Sequence, residues 1–307
     1  LSTNVQRIAG KNKETIMKEA DTAVNPPLEI KNMLIPIGGS DYSHKALELA
    51  IRLAKKSGSL ITGIYVKDIR FLEGPWFRSI RGRMISDPYF ELKRSVEVSL
   101  NIREKKIKSY FEAVCGKAGV RQKFEAYKGI PSSIILSRAA EADLVVMGKR
   151  GEHAKWLKKL LGAECFRVLH DIDKPLLVVD QALPKKIDKA LLCFAGGFFA
   201  DKALELTSYL HEKNGFELSV LTIATETTRA IQVQKKAKAY FLEKKIKAQY
   251  LLSTGDVEKE IIKVRDVWGI DMIITGGSLY RKFEDYISFA LADRILSNST
   301  IPVLFVR

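Results

Sequence analysis

Cysteine and histidine are scarce in this sequence, and neither is clustered. Cys115, Cys165 and Cys193 are far apart and odd in number, which excludes a disulfide framework and a close-spaced cysteine metal pair. His44, His153, His170 and His211 are equally scattered, so each reads as a surface or helix-packing residue rather than a ligand. No apolar run approaches the roughly 18 residues that span a bilayer. Residues 1–30, with Lys11, Lys13, Glu14, Lys18, Glu19 and Asp21, lack the apolar core of a signal peptide. These absences make a reducing, cytoplasmic setting the expectation. Positive charge, by contrast, is plentiful: the 307 residues carry a formal net charge of +15. Residues 1–185 hold most of it, and 186–307 are nearly balanced. A basic excess favours anionic partners such as phosphates, nucleic acid or acidic lipid, and says nothing about fold.

The chain repeats itself. Residues 34–58 (LIPIGGSDYSHKALELAIRLAKKSG) align without a gap on 191–215 (LLCFAGGFFADKALELTSYLHEKNG), sharing Lys-Ala-Leu-Glu-Leu and a final glycine, Gly58 or Gly215. DLVVMGKRG at 143–151 matches DMIITGGSL at 271–279, and KPLLVVD at 174–180 matches IPVLFVR at 301–307. Three blocks in one order indicate duplication. The boundary falls near 181–188, where Pro184, Lys185 and Lys186 interrupt the apolar pattern. The expected organisation is an N-terminal arm (1–30), a first domain (31–181) with an insertion at 67–98, and a second domain (187–307). Each unit alternates short apolar runs with amphipathic stretches. In the first unit the runs are Met33–Ile37, Leu60–Val66, Phe124–Tyr127, Leu144–Met147 and Leu176–Val179, and the first helix carries Ala46, Leu49, Ala50 and Leu53 on one stripe. Strands apolar throughout, separated by helices, predict a parallel sheet covered on both faces. Such sheets bind ligands beyond the carboxyl ends of their strands.

On these blocks the chain resembles the universal stress protein family over residues 31–307, outside 67–98. The resemblance implies an α/β fold: two tandem doubly wound parallel-sheet domains of the adenine-nucleotide α-hydrolase-like type, paired as a pseudo-dimer through their last strands. In nucleotide-binding members of that family, the fourth strand is followed by Gly-x-x-Gly, nine residues, then Gly-Ser or Gly-Thr. Glycines let backbone approach phosphate, and a helix N-terminus offers unpaired N–H groups to anionic oxygens. Here the first domain has Gly148-Lys149-Arg150-Gly151, then ten intervening residues instead of nine, then Gly162-Ala163, so the spacing is one residue longer and the hydroxyl is replaced. Gly38 stands where the family has an Asp. Lys149, Arg150, Lys155, Lys158 and Lys159 surround the glycines, and suit either phosphate or solvent. The second domain reads Gly276-Gly277-Ser278-Leu279 and Phe289-Ala290, with Ala195 in place of the Asp. Phe289 would fill the space of a phosphate, so this half is expected to be a structural partner.

The resemblance implies a non-catalytic stress-response protein that binds an adenine nucleotide, ATP with Mg²⁺ among the candidates, in the first domain only. The candidate contacts are Pro36, Ile37, Gly38, Ser40, Val66, Met147, Gly148, Lys149, Arg150, Gly151, Gly162 and Ala163. Neither a nucleophile–base pair nor a carboxylate dyad can be assembled from these positions, and no metal ligands are expected. The alternative is a nucleotide-independent interaction protein, acting through residues 67–98 and a homodimer surface. In that stretch Phe71, Trp76, Phe77, Tyr89 and Phe90 alternate with Arg70, Arg78, Arg81 and Arg83. The pattern fits a strap packed on the domain or a partner, a lid over the strand ends, or a single-stranded nucleic-acid surface, the last unsupported by any recognised motif. A third reading is enzymatic: Ile37-Gly38-Gly39-Ser40-Asp41-Tyr42 approaches the pyrophosphate loop of ATP-pyrophosphatases but lacks both flanking serines. Residues 229–250, rich in Lys with Ile231, Tyr240, Phe241 and Ile246, read as one amphipathic helix with a solvated Lys face or a surface for anionic lipid.

Overall fold

The computed structural model describes residues 29–70, 87–151, 161–224, 227–277 and 286–307, with backbone only at 87–90, 92, 227 and 286–290. In the first half the elements run β1 (Asn32–Pro36), α1 (Asp41–Ser57), β2 (Leu60–Asp68), α2 (Asp87–Ala118), β3 (Gln122–Gly129), α3 (Pro131–Ala139), β4 (Leu144–Gly148), α4 (Ala163–Asp171) and β5 (Leu176–Val179). The second half repeats the order: β6 (Lys189–Cys193), α5 (Phe198–Asn214), β7 (Glu217–Ile223), α6 (Thr227–Glu243), β8 (Ala248–Ser253), α7 (Val257–Trp268), β9 (Met272–Gly276), α8 (Tyr286–Asn298) and β10 (Val303–Val306).

The ten strands form one sheet, ordered β3-β2-β1-β4-β5-β10-β9-β6-β7-β8. Every neighbouring pair within a half is parallel. The two halves meet at one antiparallel seam, where Val178, Leu177 and Leu176 face Val303, Leu304 and Phe305. Each strand alternates its side chains between two cores. Met33, Ile35, Leu177, Val179, Leu304 and Val306 join the core under α1, α2, α5 and α6. Leu34, Val145, Leu176, Val178, Val303 and Phe305 join the core under α3, α4, α7 and α8. Burial on both faces is why the inner strands read as unbroken apolar runs, whereas the edge strands β3 and β8 alternate.

The predicted stripe of α1 is buried throughout. Gly58 and Gly215 close α1 and α5 in the left-handed conformation, at φ 71° and 70°, which glycine adopts without a Cβ clash. The repeat also places one carboxylate in each half at the foot of the sheet. Asp143 Oδ2 accepts from the N–H groups of Lys31 and Asn32, and Asp271 Oδ2 from those of Asp188 and Lys189. Both pairs tie the start of the half's first strand to its fourth.

Two sequence expectations need correction. Residues 229–250 are not one helix: α6 ends at Glu243, Lys245 takes a positive φ of 57°, and Lys247 and Tyr250 flank or enter β8. The 67–98 segment is not all insertion either. Lys67 and Asp68 finish β2, and residues from Asp87 onward belong to α2. Phe71, Trp76, Phe77, Arg78, Arg81 and Arg83, the side chains of Tyr89 and Phe90, and the arm at 1–28 lie outside the described residues. At 32 residues α2 is nearly twice its counterpart α6, with 17. Its added turns lie at the N-terminal end and carry Leu100, which with Arg103 just after it lines the first half's cavity.

Candidate functional site

A cavity of about 460 Å³ opens beyond the carboxyl ends of β1, β2 and β4. Its apolar floor is set by the strands themselves. Pro36 and Ile37 come from the end of β1, Val66 from β2 and Met147 from β4, and Gly38 and Ser40 from the loop into α1. Gly148, Arg150 and Gly151 form one wall, and Gly162 and Ala163 at the start of α4 another. Eleven of the twelve residues singled out in the sequence thus line a single cavity.

Lys149 is the exception, and its role as a phosphate-facing cation is corrected. Its side chain is 4% exposed and turns away from the cavity, with Nζ 2.9 Å from Asp180 Oδ2. The same Nζ donates to the carbonyls of Ser299 at 2.8 Å and Ser297 at 3.4 Å, in the second half. Burial holds this ammonium below the usual lysine range, against the opposing pull of Asp180. Lys155, Lys158 and Lys159 lie outside the described residues.

The four glycines do different jobs. A Cβ on Gly148 would sit 2.6 Å from the carbonyl carbon of Tyr42, so this glycine lets β4 pass under the first turn of α1. Gly276 in the second half is in the same position, 2.3 Å from Phe199 O. These two are needed for packing. Gly162 is held against the loop, its N–H donating to Lys149 O at 3.0 Å, and a Cβ there would lie 3.0 Å from Arg150 Cα. Around Gly38 and Gly151 no described atom comes within 4 Å of an added Cβ. Both line the cavity, and neither is held as glycine by packing against described atoms.

Ser40 is a structural cap more than a ligand group. Its hydroxyl accepts from Ser43 N–H and donates to Arg150 O, and the serine is the N-cap of α1. Arg150 donates to Tyr42 Oη at 2.9 Å with its guanidinium over the Tyr42 ring.

Charged residues that the sequence reading did not assign to the site complete the mouth. Arg103 donates to Gly38 O at 2.7 Å. Arg70 bonds Asp68 and reaches across to Glu164 at 2.7 Å. Asp68 and, after it, Glu164 hold that guanidinium protonated above its ordinary range. Glu164 also accepts from Ser132 N–H, at the start of α3, and from Arg167. No sequence motif marks Asp68 or Glu164. Arg70 does follow β2 directly, and that was the available clue. Cys165 lies behind Ala163, and burial pushes its thiol up to about 12.

The arrangement combines an apolar slot, arginines at its rim and the uncapped N-terminus of α4, where Gly162 supplies no side-chain hydrogen bond. That is chemistry for an anionic ligand with a flat apolar part. Among the described residues no group of three or more His, Cys, Asp or Glu could hold a metal ion, and no helix is long and apolar enough to cross a membrane. In the second half Leu279 and the side chains of Phe289 and Ala290 lie outside the described residues.

The model of the universal stress protein family matches this chain twice, at residues 29–180 and 188–307. A universal stress protein of Synechocystis sp. is 24% identical over 288 residues, spanning 91% of this chain and all of that one. Among solved structures, a universal stress protein from Archaeoglobus fulgidus superposes with a TM-score of 0.72 at 20% identity, covering 92% of this chain and 97% of its own. A protein described as a putative universal stress protein from Pseudomonas aeruginosa gives 0.61 at 13%, covering 92% and 94%. At these identities the structures speak to the fold alone. With two family matches filling most of its length, the chain belongs to the universal stress protein family and carries two of its domains in tandem.

Proposed function

We propose that this protein is a non-catalytic regulatory member of its family, binding one adenine nucleotide in the cavity of its first half. The observation that carries the reading is the open space at Gly38 and Gly151. Both glycines line the cavity without being required by packing. The adenine and ribose would lie over Pro36, Ile37, Val66 and Met147, and the phosphates would approach Gly151 and the N–H groups that open α4. Mg²⁺, in this reading, would travel on the phosphates, because Asp68 and Glu164 are both already engaged by Arg70.

The test is to denature fresh protein and identify any released nucleotide by mass spectrometry. The stripped protein is then titrated with ATP, ADP and AMP by calorimetry, with and without Mg²⁺. One site per chain, abolished in Gly151→Leu, is the expected result. Absence of binding at millimolar nucleotide sinks the proposal. It would favour the second reading, a nucleotide-independent interaction protein, for which Val98 and Ile102, exposed one turn apart on α2, are among the apolar side chains the described surface offers. A cytoplasmic location belongs to the same proposal. A homodimer of whole chains would have to use the outer edges β3 and β8 or a helix face, since β5 and β10 pair with each other.

A further inference from the structure

Lys149 belongs to the cavity by its backbone and to the second half by its side chain. Its N–H donates to Val179 O at 2.8 Å, and its carbonyl accepts from Gly162 N–H at 3.0 Å. These bonds fix the loop Gly148–Gly151 against the residue that opens α4. The side chain runs the opposite way, to the carbonyls of Ser297 and Ser299 at the C-terminal end of α8, with Asp180 beside it. The last carbonyls of a helix lack intrahelical partners and carry the negative end of its dipole, so a buried ammonium suits them.

A second contact crosses the same seam toward the same site. Arg307, just after β10, donates to the carbonyls of Leu169 at 2.7 Å, His170 at 3.3 Å and Ile172. Those carbonyls end α4, whose first residues form a cavity wall. The second half therefore grips the ligand loop at one point and the helix after it at another. Exposed ion pairs have little effect, but both of these are buried. Removing one partner there leaves polar groups unmet in a low-dielectric setting.

We propose that the second half braces the ligand site of the first, holding the Gly148–Gly151 loop through Lys149 and α4 through Arg307. Lys149 is then a positioning residue: it touches no ligand and sets the geometry of the groups that do. The binding consequence rests on the nucleotide reading above, whereas the brace itself is measurable without ligand.

The test uses the full chain with Lys149→Met and the double variant Lys149→Met/Asp180→Asn. The double variant removes both charges together, so no orphaned carboxylate threatens folding. Amide hydrogen exchange is read by NMR, and ATP, ADP and AMP are titrated by calorimetry. In both variants the Gly162 amide should exchange about tenfold faster, equivalent to one lost charge-assisted hydrogen bond, with the amides of Leu34 and Ile35 in β1 unchanged. Nucleotide affinity should fall by a similar factor. Nucleotide added to the wild type should slow exchange at Ser299, because coupling between sites is reciprocal. An unchanged Gly162 amide in the double variant overturns the brace, as does a uniform rise that includes β1. A faster Gly162 amide with unaltered affinity overturns the positioning role of Lys149. A faster Gly162 amide in a protein whose wild type binds no nucleotide supports the brace and overturns the nucleotide reading.

Discussion

Two glycines of one motif should respond in opposite ways to substitution. In Gly148→Ala the new methyl group would lie 2.6 Å from the Tyr42 carbonyl carbon and 2.8 Å from its oxygen. Carbon atoms pack at about 3.5–4.0 Å, and the opposing atoms are backbone in the first turn of α1, which cannot rotate away. Either β4 or α1 must move by about 1 Å, and overpacking of this kind costs about 1–3 kcal/mol. For a cooperative unit of about 150–250 residues, each kcal/mol lowers the melting temperature by about 2–4 °C, so Gly148→Ala should melt roughly 2–12 °C below the wild type. Gly151→Leu should melt with the wild type, because no described atom lies within 4 Å of its Cβ and the backbone is not left-handed. Its side chain would instead enter the cavity and abolish nucleotide binding. Differential scanning calorimetry paired with titration calorimetry reads both effects. Wild-type melting in Gly148→Ala, or intact binding in Gly151→Leu, would refute the assignment of these glycines to packing and ligand space.

Three further outcomes follow from the same structure. Glu164→Gln removes a negative charge from the cavity wall while leaving an acceptor for Ser132 N–H, so ATP should bind about fivefold tighter by calorimetry; weaker binding would show that Glu164 helps to hold the ligand. Burial beside the Phe216 ring lowers the pKa of His211. The unfolded chain then binds more protons, and stability present above the ordinary imidazole range of about 6.5 is lost as pH falls through the lowered folded value. His211→Gln should flatten that loss in urea titrations between pH 7 and 5, and an unchanged pH dependence counts against it. Burial pushes the thiols of Cys115 up to about 11 and of Cys165 and Cys193 up to about 12. Iodoacetamide should therefore leave the buried Cys115 and Cys165 unmodified at pH 8 until the protein is denatured, with the half-buried Cys193 labelling slowly, and rapid native labelling of Cys115 or Cys165, read by mass spectrometry, would contradict its burial.

Local sequence determined a large part of this protein. The duplicated Lys-Ala-Leu-Glu-Leu block, the glycines that stop α1 and α5, and the unbroken apolar runs follow from spacing and side-chain type, which act within a few residues. Those features were enough to place two parallel α/β units, whereas the candidate cavity residues were named from the resemblance to the family's glycine motif. Element limits that depend on packing were less legible. The helix through Arg229 stops at Glu243 because Lys245 turns and Ala248 joins β7 in the sheet, and α2 begins at Asp87, inside the segment read as an insertion. Direction within the glycine loop was invisible for a different reason. Lys149 and Arg150 are adjacent and chemically alike, yet one turns to the cavity and Tyr42 and the other into the seam. Their partners, Tyr42 on one side and Ser297 and Ser299 on the other, lie more than a hundred residues away in the chain. Only the pairing of β5 with β10 brings the end of α8 beside Lys149, and so tertiary structure alone decided which cation lines the cavity and which joins the two halves.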